Sequence, residues 1–171
     1  VATNLSDKGI DSFQGDLFVA VTNSQATGQV LINGTAVYNK ILTVQTSLID
    51  PDGLGVLQYQ WMANGAAIAG ATESSYALTE NEVGKKVSVQ VSFTDGLGTL
   101  ESLSSDSTVP VAFPIEGSID SDLLVATGAY NILKGLGGDD ILRSAADSKS
   151  SLLEGGPGND RLIGGDRSDW A

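Results

Sequence analysis

The stretch that decides the fold of this chain lies near its C-terminus and reads Gly155-Gly156-Pro157-Gly158-Asn159-Asp160-Arg161-Leu162-Ile163. It has the form Gly-Gly-x-Gly-x-Asp-x-Leu-x: a glycine-rich turn closed by an acid and followed by a short apolar segment. A single match of this length is weak evidence for a repeat, so the residues at the same spacing on either side decide its meaning.

The pattern recurs at steps of nine residues. Counted from Asp160, an acid or amide occupies the closing position at Asp122, Asn131, Asp140, Asp160 and Asp169. Leucine follows two positions later at Leu124, Leu133, Leu142 and Leu162. One step is irregular, because Asp140 and Asp160 are 20 residues apart, two more than two units. We place the extra residues in a long turn from Ser144 to Ser151.

The residue types explain what such a unit does. Polar, glycine-rich residues form a tight turn, because glycine tolerates positive φ and lets backbone carbonyls face inward. The next three residues form a short strand whose central leucine stacks on the leucines of neighbouring units. Acidic turns stacked on one another repel, and a hard cation with oxygen ligands, such as Ca²⁺, removes that repulsion. A flexible Gly/Asp-rich tail is the alternative, but it leaves the fixed register of leucine and aspartate unexplained. A further alternative is a short array that is only partly folded on its own.

Residues 117–171 resemble the hemolysin-type, or RTX, calcium-binding repeats. The resemblance implies a parallel β-roll in which alternate turns lie on opposite edges and each Ca²⁺ binds between turns two units apart. One edge then holds the turns 117–122, 135–140 and 155–160. The other holds the turns 126–131, 144–151 and 164–169.

The two edges differ in their closing residues. The first edge ends its turns with Asp122, Asp140 and Asp160, whereas the second has an amide, a hydroxyl and one acid at Asn131, Ser151 and Asp169. We therefore predict Ca²⁺ on the first edge, best between the turns that end at Asp140 and Asp160, and a weak or empty second edge. The candidate metal-binding residues are Asp122, Gly135, Gly137, Gly138, Asp140, Gly155, Gly156, Gly158, Asp160 and Asp169.

Composition excludes several classes of function. The 171 residues carry a net charge of −12 at pH 7, which argues against nucleic acid and anionic membrane surfaces as partners. The chain has no Cys and no His, so it has no disulfide, few possible zinc sites and no Ser-His-Asp set. No apolar run is long enough to insert into a membrane. The chain begins without Met and ends within a repeat unit, which we interpret as an excised part of a longer protein.

The segment from 28 to 111 has an all-β pattern. Alternation over Ile41–Leu48, Val56–Met62 and Lys86–Phe93 predicts strands, and Asn64-Gly65 is a strong hairpin signal. Thr79 with Glu82 three residues later fits a capping box, so one helical turn is expected there. Strands of this length and spacing indicate a β-sandwich.

The same segment resembles an immunoglobulin-like domain of bacterial surface and RTX proteins. The residues that carry this resemblance are Tyr59-Gln60-Trp61, Gly70-Ala71-Thr72, Ser75-Tyr76, Leu78-Thr79, Val83-Gly84-Lys85 and Thr94-Asp95-Gly96. The resemblance makes Trp61 the core tryptophan of the third strand. It places Val89 where an antibody domain has its second Cys, so that packing holds the sheets together.

Two loops repeat the tetrapeptide Asp-Gly-Leu-Gly, at residues 52–55 and 95–98. In an immunoglobulin topology these loops share one pole, so Asp50, Asp52 and Asp95 could converge on a second, weaker Ca²⁺ site. The alternative, which we favour from sequence, is that both loops are tight turns that need Asp and Gly for backbone reasons.

The predicted architecture is therefore all-β: an immunoglobulin-like β-sandwich followed by a short parallel β-roll of nonapeptide repeats. We assign residues 1–27 to an extension or linker, 28–111 to the sandwich, 112–116 to a rigid proline-flanked linker and 117–171 to the incomplete roll. We expect no catalytic residues, since the paired carboxylates lie on solvated turns without an apolar pocket.

Three functions fit this architecture. The first is a calcium-binding structural module of a secreted Gram-negative protein; the RTX resemblance implies type I secretion and folding on calcium outside the cell. The second is an adhesin domain that binds an extracellular protein or glycan, with Tyr59, Trp61 and Tyr76 as a sugar-binding face or, more simply, as core residues. The third is an accessory module of a secreted enzyme.

Overall fold

The computed structural model describes residues 22–126, 128, 130–145 and 151–165. Over these residues the secondary structure consists of β-strands and one short 3₁₀ helix, so the all-β prediction is confirmed. Most of the extension assigned to 1–27, and the predicted metal ligand Asp169, lie outside the described residues.

The first seven strands form two antiparallel sheets. Sheet A contains three strands in the order β1-β2-β5, and sheet B contains four in the order β4-β3-β6-β7. Their bounds are β1 Val30–Asn33, β2 Ile41–Thr46, β3 Gln58–Ala63, β4 Ala66–Ala67, β5 Ser75–Ala77, β6 Val87–Thr94 and β7 Leu100–Ser104.

One apolar core is shared by sheets A and B. Strand β6 alternates between buried and more exposed residues, because its side chains point to opposite faces in turn. Trp61 of β3 pairs in register with Val89 of β6, and both side chains are fully buried. Leu42 of sheet A belongs to the same cluster. Each such side chain contributes about 1.5–3 kcal/mol, so this core can hold the two sheets together without a disulfide.

Two local signals in this region have the predicted structure. Asn64 and Gly65 join β3 to β4 with positive φ angles of 49° and 83°, as a tight hairpin requires. Thr79 caps the 3₁₀ helix Glu80–Glu82: its hydroxyl accepts a hydrogen bond from the N–H of Asn81, and the Glu82 carboxylate accepts from the N–H of Thr79. The capping box is therefore confirmed.

The last six strands form two parallel sheets, to which successive strands contribute alternately. Sheet C has the order β12-β10-β8 and sheet D the order β13-β11-β9. Their bounds are β8 Phe113–Glu116, β9 Leu123–Val125, β10 Asn131–Lys134, β11 Ile141–Arg143, β12 Ser151–Glu154 and β13 Arg161–Ile163.

The nine-residue spacing sets the register of these sheets. Leu142 of β11 lies opposite Leu124 of β9 and Leu162 of β13, as the repeat predicts. Leu133, Leu142 and Leu153 point between sheets C and D and are at most 2% exposed. Leu162 is 37% exposed, because β13 is the outermost described strand of its sheet. The two extra residues fall between β11 and β12, where the sequence placed them.

Most of the segment assigned to a linker at 112–116 has regular secondary structure, which the sequence analysis did not predict. Residues 113–116 form β8, which pairs in parallel with β10. Just before it, Ala112 bridges to Val37 and Val111 bridges to Val83. Pro114 can lie in a strand here because β8 is at the edge of sheet C, where a missing N–H breaks no ladder. The chain therefore passes from one pair of sheets to the other through continuous β structure.

Candidate metal centre

Three turns, of which the second and third are glycine-rich, stack along one edge of sheets C and D. The turns 117–122, 135–140 and 155–160 connect β8 to β9, β10 to β11 and β12 to β13. Backbone hydrogen bonds link neighbouring turns: the N–H of Gly137 donates to Ser118 O at 3.1 Å, and the N–H of Gly138 donates to Pro157 O at 3.1 Å. The described structure thus brings the turns ending at Asp122, Asp140 and Asp160 to the same edge, as the sequence predicts.

Hydrogen bonds connect the three closing aspartates of the stacked turns in a row. Asp122 donates its N–H to Asp140 Oδ1 at 2.9 Å, and Asp140 donates its N–H to Asp160 Oδ1 at 3.0 Å. One oxygen of each acceptor carboxylate is therefore fixed against the preceding turn. The other oxygen, Oδ2, takes no part in these two hydrogen bonds.

At Asp140 this second oxygen is buried and has no hydrogen-bond partner among the described residues. Asp140 is only 1% exposed, so water does not solvate the carboxylate freely. A buried unpaired acceptor costs about 1–3 kcal/mol, and more when it is charged. Asp140 Oδ2 therefore requires a positive partner, and a metal ion can supply it.

Gly135 leaves open the space next to this oxygen. A Cβ atom at Gly135 would overlap both Asp140 Oδ2 and the carbonyl oxygen of Gly155 in the next turn. A carboxylate oxygen and a carbonyl oxygen thus face one small space that only glycine leaves free. Carboxylate and carbonyl oxygens are the ligands that Ca²⁺ prefers, so the residues present fit a calcium ion.

The first turn of the stack differs from the second. Asp122 Oδ2 accepts hydrogen bonds from the N–H of Ser118 at 2.6 Å and from its hydroxyl at 2.9 Å. At the matching position of the second turn stands Leu136, whose φ of 79° is positive. Because Asp122 is satisfied within its own turn and Asp140 is not, the need for a cation is greatest between the turns 135–140 and 155–160.

Other predicted glycines serve the close approach of the turns. A Cβ at Gly156 would overlap the carbonyl oxygen of Leu136, and a Cβ at Gly158 would overlap that of Gly138. A Cβ at Gly138 would lie 2.6 Å from the carbonyl carbon of Asp120. These glycines allow the backbones of adjacent turns to contact each other directly, which places their oxygens within reach of a shared ion.

The second edge holds an amide where the first edge has carboxylates. Asn131 is 6% exposed and its Nδ2 donates to the carbonyl oxygen of Gly128 at 2.6 Å. The amide N–H thus contacts a turn carbonyl that would otherwise be free to bind a cation. The weak second edge stays a prediction, because most of the turns 144–151 and 164–169, including Asp169, lies outside the described residues.

Comparison with known proteins identifies the repeats. The family described as the RTX calcium-binding nonapeptide repeat matches residues 116–148 and 151–170, in four copies. The C-terminal part of this chain is an array of RTX calcium-binding repeats. The match includes all three stacked turns, from Gly117 onward, with the aspartates at 122, 140 and 160. Neither a curated protein nor a solved structure matches the chain.

The RTX match leaves residues 1–115 without a family, and one predicted feature there can be placed directly. Trp61 is fully buried and donates its Nε1–H to the carbonyl oxygen of Glu73 at 2.9 Å. Its ring lies 6.0 Å from that of Tyr76 inside the core shared by sheets A and B. Trp61 is therefore a packing residue and offers no face to a sugar. Within the part of the chain that the structure describes, no helix is long and apolar enough to span a membrane.

A second acidic cluster lies at one pole of sheets A and B. Carboxylate oxygens of Asp50, Asp95 and Glu101 all lie within 4.8 Å of one another. Sequence left the convergence of Asp50, Asp52 and Asp95 as the less favoured alternative to simple tight turns; Asp50 and Asp95 do lie together, whereas Asp52 is not in the cluster and instead accepts the N–H of Ser24. Glu101 was missed from sequence, since only the pairing of β7 with β6, which sets it opposite Phe93, brings it to this pole.

Proposed function

We propose that this chain is a non-catalytic, calcium-binding structural module of a secreted protein. In this proposal sheets A and B are an immunoglobulin-like β-sandwich, and sheets C and D are a short parallel β-roll that is stable only with Ca²⁺ between its turns. The observation that carries the proposal is the buried, unpartnered Oδ2 of Asp140 beside the space left by Gly135.

The β-roll part is supported by the strand order. Successive strands go alternately to two parallel sheets, and leucines from both sheets meet between them. A ladder of three short strands per sheet buries few side chains. Such a small core supplies little stabilisation by itself, so ion binding contributes a large share of the free energy of folding.

The immunoglobulin-like part is supported by the two antiparallel sheets and by Trp61. This tryptophan is on the third strand and packs against Val89, as the sequence resemblance requires. Among the described residues, the core of sheets A and B contains twelve buried apolar residues, and four lie between sheets C and D. We therefore expect sheets A and B to remain folded when calcium is removed.

Dependence on calcium gives the module its role in export. Calcium is scarce in the bacterial cytoplasm and plentiful outside it, so a segment that folds on calcium stays extended until it has left the cell. Binding at the turns then orders the repeats. A ligand-binding adhesin function remains a hypothesis without a specific observation in its favour, since the aromatic residues proposed for it are core residues or lie against the core.

Hydrogen exchange measured by mass spectrometry tests the proposal on the full chain. With millimolar Ca²⁺ we expect protection in peptides from both 30–104 and 113–163. After chelation, protection should disappear from 113–163 and persist in 30–104. Mg²⁺ at the same concentration is the control and should not restore protection, because it binds poorly to flexible sites built from carbonyl and carboxylate oxygens. Equal protection of 113–163 with and without calcium would refute the proposal.

A further inference from the structure

The acidic cluster at Asp50, Asp95 and Glu101 lies outside the RTX repeats and is built from three separate elements. Asp50 lies in the loop between β2 and β3, Asp95 follows β6, and Glu101 belongs to β7. The two loops contact each other, since the N–H of Gly96 donates to Asp52 O at 3.1 Å. The fold, rather than local sequence, therefore brings the three carboxylates together.

Each carboxylate of the cluster is held in place by backbone or side-chain donors. Asp95 Oδ1 accepts the N–H of Leu97 at 2.9 Å and that of Thr99 at 2.7 Å. Asp50 Oδ1 accepts the N–H of Asp52 at 2.7 Å. Glu101 accepts the N–H of Ala26 and the side-chain amide of Asn23, which brings the preceding segment across the pole. These bonds fix the orientation of all three groups.

The remaining oxygens of the two aspartates have no partner. Oδ2 of Asp50 and Oδ2 of Asp95 are buried and accept no hydrogen bond from any described residue. Asp95 as a whole is 6% exposed. Within the described residues, no Lys or Arg forms an ion pair with the cluster; the ion pair found there joins Lys134 to Glu154. Two buried carboxylate oxygens thus lie in a pre-formed acidic cluster that no described residue neutralises.

Repulsion between these groups is large enough to require neutralisation. Carboxylate oxygens that lie within 4.8 Å of one another and are partly shielded from water repel strongly when all three groups are ionised. A cation between the carboxylates converts this repulsion into attraction.

We propose that Asp50, Asp95 and Glu101 form a second Ca²⁺ site, at the pole of sheets A and B and independent of the RTX repeats. An ion about 2.3–2.6 Å from each ligand can contact three oxygens that lie within 4.8 Å of one another. Carboxylates without imidazole or thiolate neighbours select a hard cation, and water completes the coordination. Such an ion links the β2–β3 loop, the β6–β7 hairpin and the segment from Asn23 to Ala26.

The site can be tested separately from the RTX repeats in a full-length chain that carries Asp140→Asn. Calcium is titrated while the backbone amides of Leu97 and Thr99, which donate to Asp95, are followed by NMR. We expect saturable shifts of both amides in this chain. Adding Asp50→Asn should weaken the response at least tenfold, and Glu101→Gln should do the same if the first variant does not fold. Asp106→Asn, an exposed aspartate outside the cluster, is the matched control and should leave the response unchanged.

Two results would overturn the second site. One is the absence of calcium-dependent shifts at Leu97 and Thr99 in a folded chain. The other is an unchanged response when Asp50 or Glu101 is neutralised. The proposed RTX function is judged by different amides, those of Gly138 and Gly158 in the unmodified chain. Failure of either site is therefore distinguishable from failure of the other.

Discussion

Replacing Asp140 by Asn should remove most of the stabilisation that calcium gives to the RTX repeats. The amide keeps an oxygen that can accept the N–H of Asp122, which the Asp140 carboxylate accepts at 2.9 Å, so the turn stack should be retained. It removes the anionic oxygen that faces Gly135 and the Gly155 carbonyl. The substitution is therefore nearly isosteric and replaces the negative charge by a neutral amide.

The size of the effect follows from binding linkage. A site filled at about 100 times its Kd adds about 2.7 kcal/mol to stability; a hundredfold weaker site at the same calcium concentration adds only about 0.4 kcal/mol. We expect the calcium-dependent gain of Asp140→Asn to fall by about 2 kcal/mol. When a chelator has removed calcium, the variant should be about 1–3 kcal/mol more stable than the parent, because the buried, unpaired carboxylate oxygen Oδ2 of Asp140 has been replaced. Its amide can donate to the Gly155 carbonyl, as Asn131 donates to Gly128 on the other edge.

Both the calcium-dependent gain in stability and the stability in the presence of chelator can be measured by urea titration. Pulsed hydrogen exchange of peptides within 131–163 reports the unfolding of the repeats. Asp139→Asn is the matched control: Asp139 is exposed, adjacent and of equal charge, and its Oδ1 accepts the N–H of Asn159 at 2.8 Å, which an amide oxygen can also do. The control should keep the calcium-dependent gain. A gain in Asp140→Asn equal to that of the parent would refute the assignment of this carboxylate as a calcium ligand.

Three further predictions concern other residues. Gly135→Ala should abolish the calcium-induced protection of residues 131–163 in hydrogen exchange, because its Cβ would fill the space beside Asp140. Gly128→Ala is the control and should keep this protection, since no described atom lies within 4 Å of the added Cβ. Protection retained in Gly135→Ala would contradict the site. Leu136→Gly should stabilise the repeats by about 1 kcal/mol in urea titrations with saturating calcium, because Leu136 has a φ of 79° and its side chain is 45% exposed. A loss of stability would show that contacts of the Leu136 side chain outweigh its backbone strain. Burial, with the Glu82 carboxylate adding to it, raises the pKa of Tyr76 above its ordinary value of 10.0, so the folded chain holds this proton more tightly than the unfolded chain. The resulting stabilisation is fully present below about pH 10 and is lost as the pH rises through the pKa of Tyr76 in the folded chain. In urea titrations across that pH range, the free energy of unfolding should fall more steeply with pH for the parent than for Tyr76→Phe. An equal fall in both chains would contradict a raised pKa of Tyr76.

Regular spacing is what made the C-terminal part predictable from sequence. The nine-residue period fixed which leucines align, and Leu124, Leu142 and Leu162 are aligned in sheet D. It also located the insertion between β11 and β12. These features follow from counting, because each unit repeats the same turn and strand.

Counting repeat units could not predict the features that depend on pairing between distant segments. Strand β8 was missed because Pro114 suggests a linker and no Gly/Asp turn precedes it; only its place at the edge of sheet C makes the proline acceptable. Glu101 was missed for a related reason. Its approach to Asp50 and Asp95 depends on the register of β6 with β7 and on the contact between two loops. The difference between Asp122 and Asp140 likewise rests on a local bond from Ser118.

The most direct test of the central claim is to locate calcium in crystals of the full chain by anomalous scattering. We predict an ion between the turns 135–140 and 155–160, about 2.3–2.6 Å from Asp140 Oδ2. An ion found only between the turns 144–151 and 164–169, or calcium-saturated crystals with no ion beside Asp140, would contradict the claim.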